Sequence, residues 1–106
     1  MEDAPIPDVD PDGPSGTMAG VTIDGVRYAV LHHADGWVMF EDGCTHAHCS
    51  FVDDGGEIAD GTILICACHG SEFDLRDGSV RMGPATRPLE LLPLRADGDG
   101  LRTSSY

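Results

Sequence analysis

Two short motifs offer soft metal ligands. Cys44-Thr45-His46 reads Cys-x-His and Cys66-Ala67-Cys68-His69 reads Cys-x-x-His, with the 19 residues 47–65 between them. Thiolate and imidazole serve both zinc and iron–sulfur centres. Two such pairs, each on a tight turn, converge on one centre when the turns lie side by side, and the flanking Gly43 and Gly70 permit the bends such turns need. Zinc accepts Cys2His2 sets, usually with like ligands paired as Cys-x2–4-Cys and His-x3–5-His. A [2Fe–2S] cluster in which two histidines replace two cysteines on one iron takes the same four ligands. Here each pair is mixed. That suits a cluster, because each turn then gives a thiolate to one iron and an imidazole to the other. Ligand type alone leaves both chemistries open.

The elements that must carry these turns are short and β-prone. Val21-Thr22-Ile23 and Val26 to Leu31 flank Asp24-Gly25, a two-residue hairpin signal. Ala34-Asp35-Gly36 leads into Trp37-Val38-Met39-Phe40, and Asp42-Gly43 ends that run just before Cys44. Thr62 to Cys66 and Leu89 to Leu94 read as further strands, and Asp97-Gly98-Asp99-Gly100 as a last turn before Leu101-Arg102-Thr103. No window shows a helical period. The pattern predicts an all-β fold, a small antiparallel sandwich or barrel. Trp37 and Phe40 are expected in its core. His32 and His33 precede a turn and are expected to be exposed, and His48 is given no ligand role. Residues 1–16 hold four prolines and five acidic residues with almost no large apolar side chain, so they predict a flexible acidic arm ahead of one domain over 17–106.

Composition narrows the function classes. The 106 residues suit one domain, and 41% are hydrophobic. Nineteen acidic against six basic side chains give a formal charge of −13, which repels nucleic acid. It suits a partner with a basic docking face, since complementary fields speed encounter, and equally suits acidity that serves only solubility. No apolar run is long enough for a membrane span. The N-terminus lacks the basic and apolar regions of a secretory signal, so the expected location is the cytoplasm. Four cysteines there point to metal binding or redox chemistry rather than a disulfide framework.

Over about residues 37–95 the chain resembles the Rieske family. The residues that carry the likeness are Cys44-Thr45-His46-Ala47-His48-Cys49, Cys66-Ala67-Cys68-His69-Gly70-Ser71-Glu72-Phe73-Asp74 and Gly83-Pro84-Ala85, the last similar to the family's proline loop. The resemblance implies a Rieske fold, a small antiparallel β-structure with an inserted cluster-binding subdomain, here about 43–84. It implies one [2Fe–2S] cluster per chain, with Cys44 and Cys66 on the inner iron and His46 and His69 on the outer, more exposed iron. It also implies a Cys49–Cys68 disulfide, as in the Rieske proteins of cytochrome bc complexes. Gly70, Ser71, Phe73 and Pro84 would surround the centre. Ser71 stands where those relatives place a hydroxyl that bonds a cluster sulfide. Phe73 stands where many have a tyrosine that bonds a cysteine sulfur, so that donor is missing. The 19-residue spacer is longer than the family pattern, with the excess placed in Val52-Asp53-Asp54-Gly55-Gly56.

With neutral imidazoles the oxidised core of such a cluster is about neutral, against about −2 with four thiolates, so an added electron is less opposed. The potential is expected in the range of roughly −150 to +300 mV rather than near −400 mV, and below the bc type because Phe73 lacks a hydroxyl. No nucleophile–base set, second metal motif or nucleotide-binding glycine loop accompanies the ligands. The expected role is therefore a single-electron carrier and not an enzyme. The resemblance implies a monomeric ferredoxin of a bacterial aromatic-ring-hydroxylating dioxygenase system, active in aromatic hydrocarbon catabolism. It would carry electrons from an NAD(P)H-dependent ferredoxin reductase to a terminal oxygenase, docking at the His46/His69 tip, with no role for membrane or nucleic acid. The alternatives are a respiratory, cytochrome bc-type Rieske protein, a Rieske subunit of another oxidoreductase, and, from another class, a zinc-binding interaction module.

Overall fold

The β-prone runs form ten antiparallel strands among the residues described by this computed structural model, which are 5–6, 9, 12–43, 49–68, 70–97 and 100–103. They are β1 (Pro5–Ile6), β2 (Met18–Ile23), β3 (Val26–His33), β4 (Gly36–Glu41), β5 (Glu57–Ala59), β6 (Ile63–Ile65), β7 (Glu72–Asp74), β8 (Val80–Met82), β9 (Leu92–Asp97) and β10 (Gly100–Thr103). The all-β reading holds, with no helix among the described residues. Asp24 and Gly25 both take positive φ, 51° and 84°, and close the β2–β3 hairpin at the pair Ile23↔Val26. A two-residue turn of that kind matches the right-handed twist of the strands it joins.

Six strands make one sheet in the order β1-β10-β9-β4-β3-β2, and four make a second in the order β5-β6-β7-β8. The chain leaves the large sheet after β4 and returns as β9, which pairs directly with β4 through Trp37↔Leu94 and Met39↔Leu92. The small sheet is thus inserted between two neighbouring strands of the large one.

Alternation along β3 and β4 divides the core in two. Ala29, Leu31, Val38 and Phe40 pack with Phe51, Leu64, Phe73 and Leu75, joining the large sheet to the insertion. Val30, Trp37 and Met39 point the other way and pack with Ile6, Val21, Leu94 and Leu101. That second cluster gathers residues from both edge strands, so the large sheet curls on itself. The rings of Phe40 and Phe51 meet edge to face at 5.5 Å, and those of Phe51 and Phe73 at 6.0 Å. Each fully buried phenylalanine contributes about 1.5–3 kcal/mol of apolar burial, so this ladder ties the insertion to the scaffold.

Trp37 and Phe40 lie in the core as expected. Within the stretch read as a flexible arm, β1 pairs with β10 and Ile6 is buried. Two expectations need correction. His33 is buried, not exposed. It ends β3 facing Asp35, whose backbone N–H donates to its Nδ1 at 3.2 Å. His32 is half-buried, stacked on Trp37 at 4.4 Å, with its Nδ1 2.8 Å from the Gly13 carbonyl. The strand read over Leu89–Leu94 begins only at Leu92, since the Leu89 N–H is drawn to the Gly78 carbonyl of the insertion. The last turn, at Gly98-Asp99, lies outside the described residues.

Candidate metal centre

The segment expected to carry the first ligand pair spans 43–49, and the residue just before it is Asp42. The Asp42 N–H donates to the Arg27 carbonyl at 3.0 Å, which extends the β3–β4 ladder by one residue. Its carboxylate is turned inward, only 1% exposed. There it accepts hydrogen bonds from the Ser50 hydroxyl at 2.6 Å and the Phe51 N–H at 2.9 Å. The loop therefore leaves and returns at one carboxylate. Cys44, His46 and His48 lie outside the described residues, as does His69 of the second pair.

The second turn follows β6. The Cys66 N–H donates to the Ser71 carbonyl at 2.8 Å and the Gly70 N–H to the Cys66 carbonyl at 2.9 Å, closing a loop over 66–71. Gly70 sits at φ 77°, a conformation a side chain would disfavour. Cys66 is buried in the core and is the free cysteine among the described residues. Ala67, Cys68 and Gly70 face solvent. Cys49 and Cys68 are joined in a disulfide with 6.4 Å between their Cα atoms, which links the end of the first loop to the second turn. The sulfurs of Cys49, Cys66 and Cys68 lie within 4.8 Å of one another. That trio is not itself a ligand set, because two of its sulfurs are spent on each other.

A third segment completes the frame. Ser71 is fully buried, and its Oγ accepts the Ala85 N–H at 3.0 Å, holding Gly83-Pro84-Ala85 against the second turn. The Gly83–Pro84 peptide is cis, and Pro84 is exposed. Having accepted that bond, the Ser71 hydroxyl keeps its own hydrogen to donate. Phe73 is fully buried with its ring against Phe51. The expected excess in the spacer forms a compact turn, with the Gly56 N–H on the Phe51 carbonyl at 2.8 Å and the Asp54 N–H on the Ser50 carbonyl at 3.1 Å.

The donor set fits an iron–sulfur centre. A buried thiol stands just past the end of β6, with a buried hydroxyl five residues on. Cys66 would be one ligand, and the first loop and residue 69 would supply the rest. The role of Asp42 is not legible from its sequence position, because an aspartate before a glycine reads equally as an ordinary turn. The same holds for Asp74. It accepts both the backbone N–H of Arg76, at 2.9 Å, and the Arg76 guanidinium, at 2.8 Å. Those bonds from the Arg76 side chain, then its backbone, pull the Asp74 carboxyl down to about 2. Burial holds the His33 imidazole below its ordinary value. No helix among the described residues is long and apolar enough to cross a membrane.

Comparison with known proteins agrees with this frame. The model of the Rieske [2Fe-2S] domain matches residues 5–93. The biphenyl dioxygenase ferredoxin subunit of Pseudomonas sp. (strain KKS102) is 31% identical over 85 residues, 80% of this chain and 76% of that one. The cytochrome b6-f complex iron-sulfur subunit of Synechococcus sp. (strain JA-3-3Ab) is 40% identical over 63 residues, 59% of this chain but 34% of that subunit. Among solved structures, a chain of the complex of reduced oxygenase and oxidised ferredoxin in carbazole 1,9a-dioxygenase superposes with a TM-score of 0.75 at 26% identity, covering 88% of this chain and 93% of that one. The buried thiol, the loop-to-loop disulfide and the match over most of the chain lead to one conclusion: this chain belongs to the Rieske [2Fe–2S] domain family, and its cofactor is a [2Fe–2S] cluster.

Proposed function

We propose that the chain is a single-electron carrier, the ferredoxin of an aromatic-ring-hydroxylating dioxygenase system. The observation that carries this is the 31% identity to a dioxygenase ferredoxin subunit across 76% of its length. The likeness to a chain in an oxygenase–ferredoxin complex supports the same partner. In this reading Cys44 and Cys66 hold the inner iron and His46 and His69 the outer one, one cluster per chain. When bound, such a cluster takes up and returns one electron at a time. The chain's own residues do the rest. The buried Cys66 and Cys49 hold the inner side within the core, and the Ser71 hydroxyl offers a donor to a cluster sulfide. The exposed Ala67, Gly70 and Pro84 leave the histidine side open to a partner. An NAD(P)H-dependent reductase would load the electron and a terminal oxygenase would receive it at that tip. The protein would act in the cytoplasm as a monomer and catalyse no reaction alone.

A second reading has its own observation. The Cys49–Cys68 disulfide and the likeness to cytochrome b6-f subunits favour a respiratory-type Rieske protein. A redox titration at pH 7 with electron paramagnetic resonance separates the two. A Rieske signal with a potential near or below zero supports the dioxygenase ferredoxin. The same signal at about +150 mV or higher, inside the range open to such centres, supports the respiratory reading. A protein with no such signal overturns both.

A further inference from the structure

Arg27 and Asp42 stand outside the ligand set, yet they form the most heavily bonded polar site among the described residues near it. Asp42 Oδ1 accepts from the Phe51 N–H at 2.9 Å and more weakly from the Val52 N–H at 3.4 Å. Oδ2 accepts from the Ser50 hydroxyl at 2.6 Å and lies 3.9 Å from Arg27 Nε. The Ser50 oxygen in turn accepts the Asp53 N–H at 2.8 Å, and Arg27 Nη2 donates to Asp53 Oδ1 at 3.0 Å. Arg27 comes from β3, in the middle of the hairpin scaffold. Its guanidinium lies over Gly20 of β2, in space that a Cβ at that position would enter. One carboxylate thus joins the strand before the first ligand loop to the segment after it, and one guanidinium ties both to the large sheet.

We infer that Asp42 is a positioning residue for the first ligand loop, and that Arg27 is its counter-charge. The inference rests on the reading of Cys44 and His46 as ligands. Two steps of chain separate Asp42 from Cys44, a reach of at most about 7 Å. Seven residues, 43–49, run from Asp42 to the half-cystine of the Cys49–Cys68 bridge. Holding both feet of so short a loop removes most of its conformational freedom before any metal binds. Ligand geometry fixed in that way is what outer partners of metal ligands typically provide, and losing them costs about 10–100-fold in metal retention. Charge supplies a second consequence. A buried carboxylate this close to a centre that gains an electron opposes the gain, and the Arg27 cation offsets that opposition. A role confined to packing would have no sign. A positioning pair of opposite charges must have one.

The test uses the cluster-loaded protein and four variants: Asp42→Asn, Arg27→Gln, Ser50→Ala and Cys44→Ser. Asp42→Asn removes the charge and two-sided acceptance. Its cluster is expected to be lost to a chelator about tenfold faster, and at fixed poise its reduced-to-oxidised ratio should rise severalfold, up to about tenfold, which is 59 mV for a one-electron couple. Arg27→Gln leaves Asp42 uncompensated and should shift that ratio the other way. Ser50→Ala changes no charge, so it should speed cluster loss while leaving the ratio near wild type. If Asp42→Asn fails to load, Arg27→Gln and Ser50→Ala still decide the matter. Ratios that move in the same direction in the Asp42 and Arg27 variants, or chelator loss at the wild-type rate in Asp42→Asn and Ser50→Ala, overturn the inference while leaving the ligand reading intact. A Cys44→Ser protein that loads a normal cluster overturns the ligand reading itself, and the inference with it.

Discussion

Replacing Ser71 by alanine separates what the hydroxyl does for the fold from what it does for the centre. Ser71 is fully buried and Ala85 nearly so, and the one hydrogen bond between them, Ala85 N–H to Ser71 Oγ, is 3.0 Å long. Alanine fills almost the same volume, so the change creates little cavity. What it leaves is a buried N–H with no acceptor, at a cost of about 1–3 kcal/mol. For a domain of this size each kcal/mol moves Tm by about 4–8 °C, which puts the expected fall between about 4 and 24 °C. The second effect is independent of the first. A donor aimed at a cluster sulfide stabilises the reduced, more negative state, so its loss should lower the reduction potential. Thermal unfolding and a redox titration of the same loaded preparation read both. An unchanged Tm would refute the accounting of the Ala85 amide. A lowered Tm with an unchanged potential would confine Ser71 to tying the proline-bearing loop to the second turn, and the hydroxyl's role at the sulfide would fall.

The opposite substitution is Phe73→Tyr, which adds the hydroxyl that the sequence lacks at a fully buried ring. The potential should rise with little change in Tm. A clear fall in Tm with no rise in potential would mean that the ring's far edge meets only apolar groups and that Phe73 serves packing with Phe51 alone. Acid should weaken the fold in two steps. His33 is held below its ordinary 6.5 by burial, so the unfolded chain takes the proton first and stability declines as pH falls below 6.5. The Asp74–Arg76 contribution is complete above 3.8 and is lost as pH falls through about 2. A Tm-against-pH profile that is flat from 7 to 5, or one left unaltered by His33→Gln, would contradict the first step.

The strands carried by strong local signals were legible in the sequence. Asp24-Gly25 marked its hairpin because two adjacent positive φ angles are tolerated by few residue pairs. Trp37 to Phe40 read as core because no polar residue interrupts the run, and β4 proves to be buried on both faces. The short strands of the insertion were not legible. Glu72–Asp74 and Val80–Met82 contain as much charge as apolar surface, and they form because Phe73 is captured by Phe51, not because their residues prefer a strand. Phe51 gave no periodic signal at all, since it stands alone between turn residues, and its place between Phe40 and Phe73 is purely tertiary. His33 was misread for a related reason. Closeness to a turn predicts exposure only when nothing packs over the turn, and here Leu75 and Arg76 of the insertion lie beside it.

The Cys49–Cys68 pairing came from resemblance, and the described residues explain why it belongs in this frame. Cys49 and Cys66 are counted among the apolar core side chains, alongside Phe51 and Phe73. To move the two loops apart would break the disulfide that links them and draw Cys49 and Cys66 out of the core they share with Phe51 and Phe73. An electron carrier gains from such coupling on one side only. A centre whose ligands hold still changes little when its charge changes, whereas its partner-facing side must stay accessible and shallow. The same short stretch satisfies both needs, since Cys66 points into the core while Ala67, Cys68 and Gly70, one to four residues on, lie open to solvent. The chain leaves β6 after Ile65 and turns at Ala67-Cys68, so the division falls where the strand ends and the turn begins, with Gly70 at positive φ within that turn.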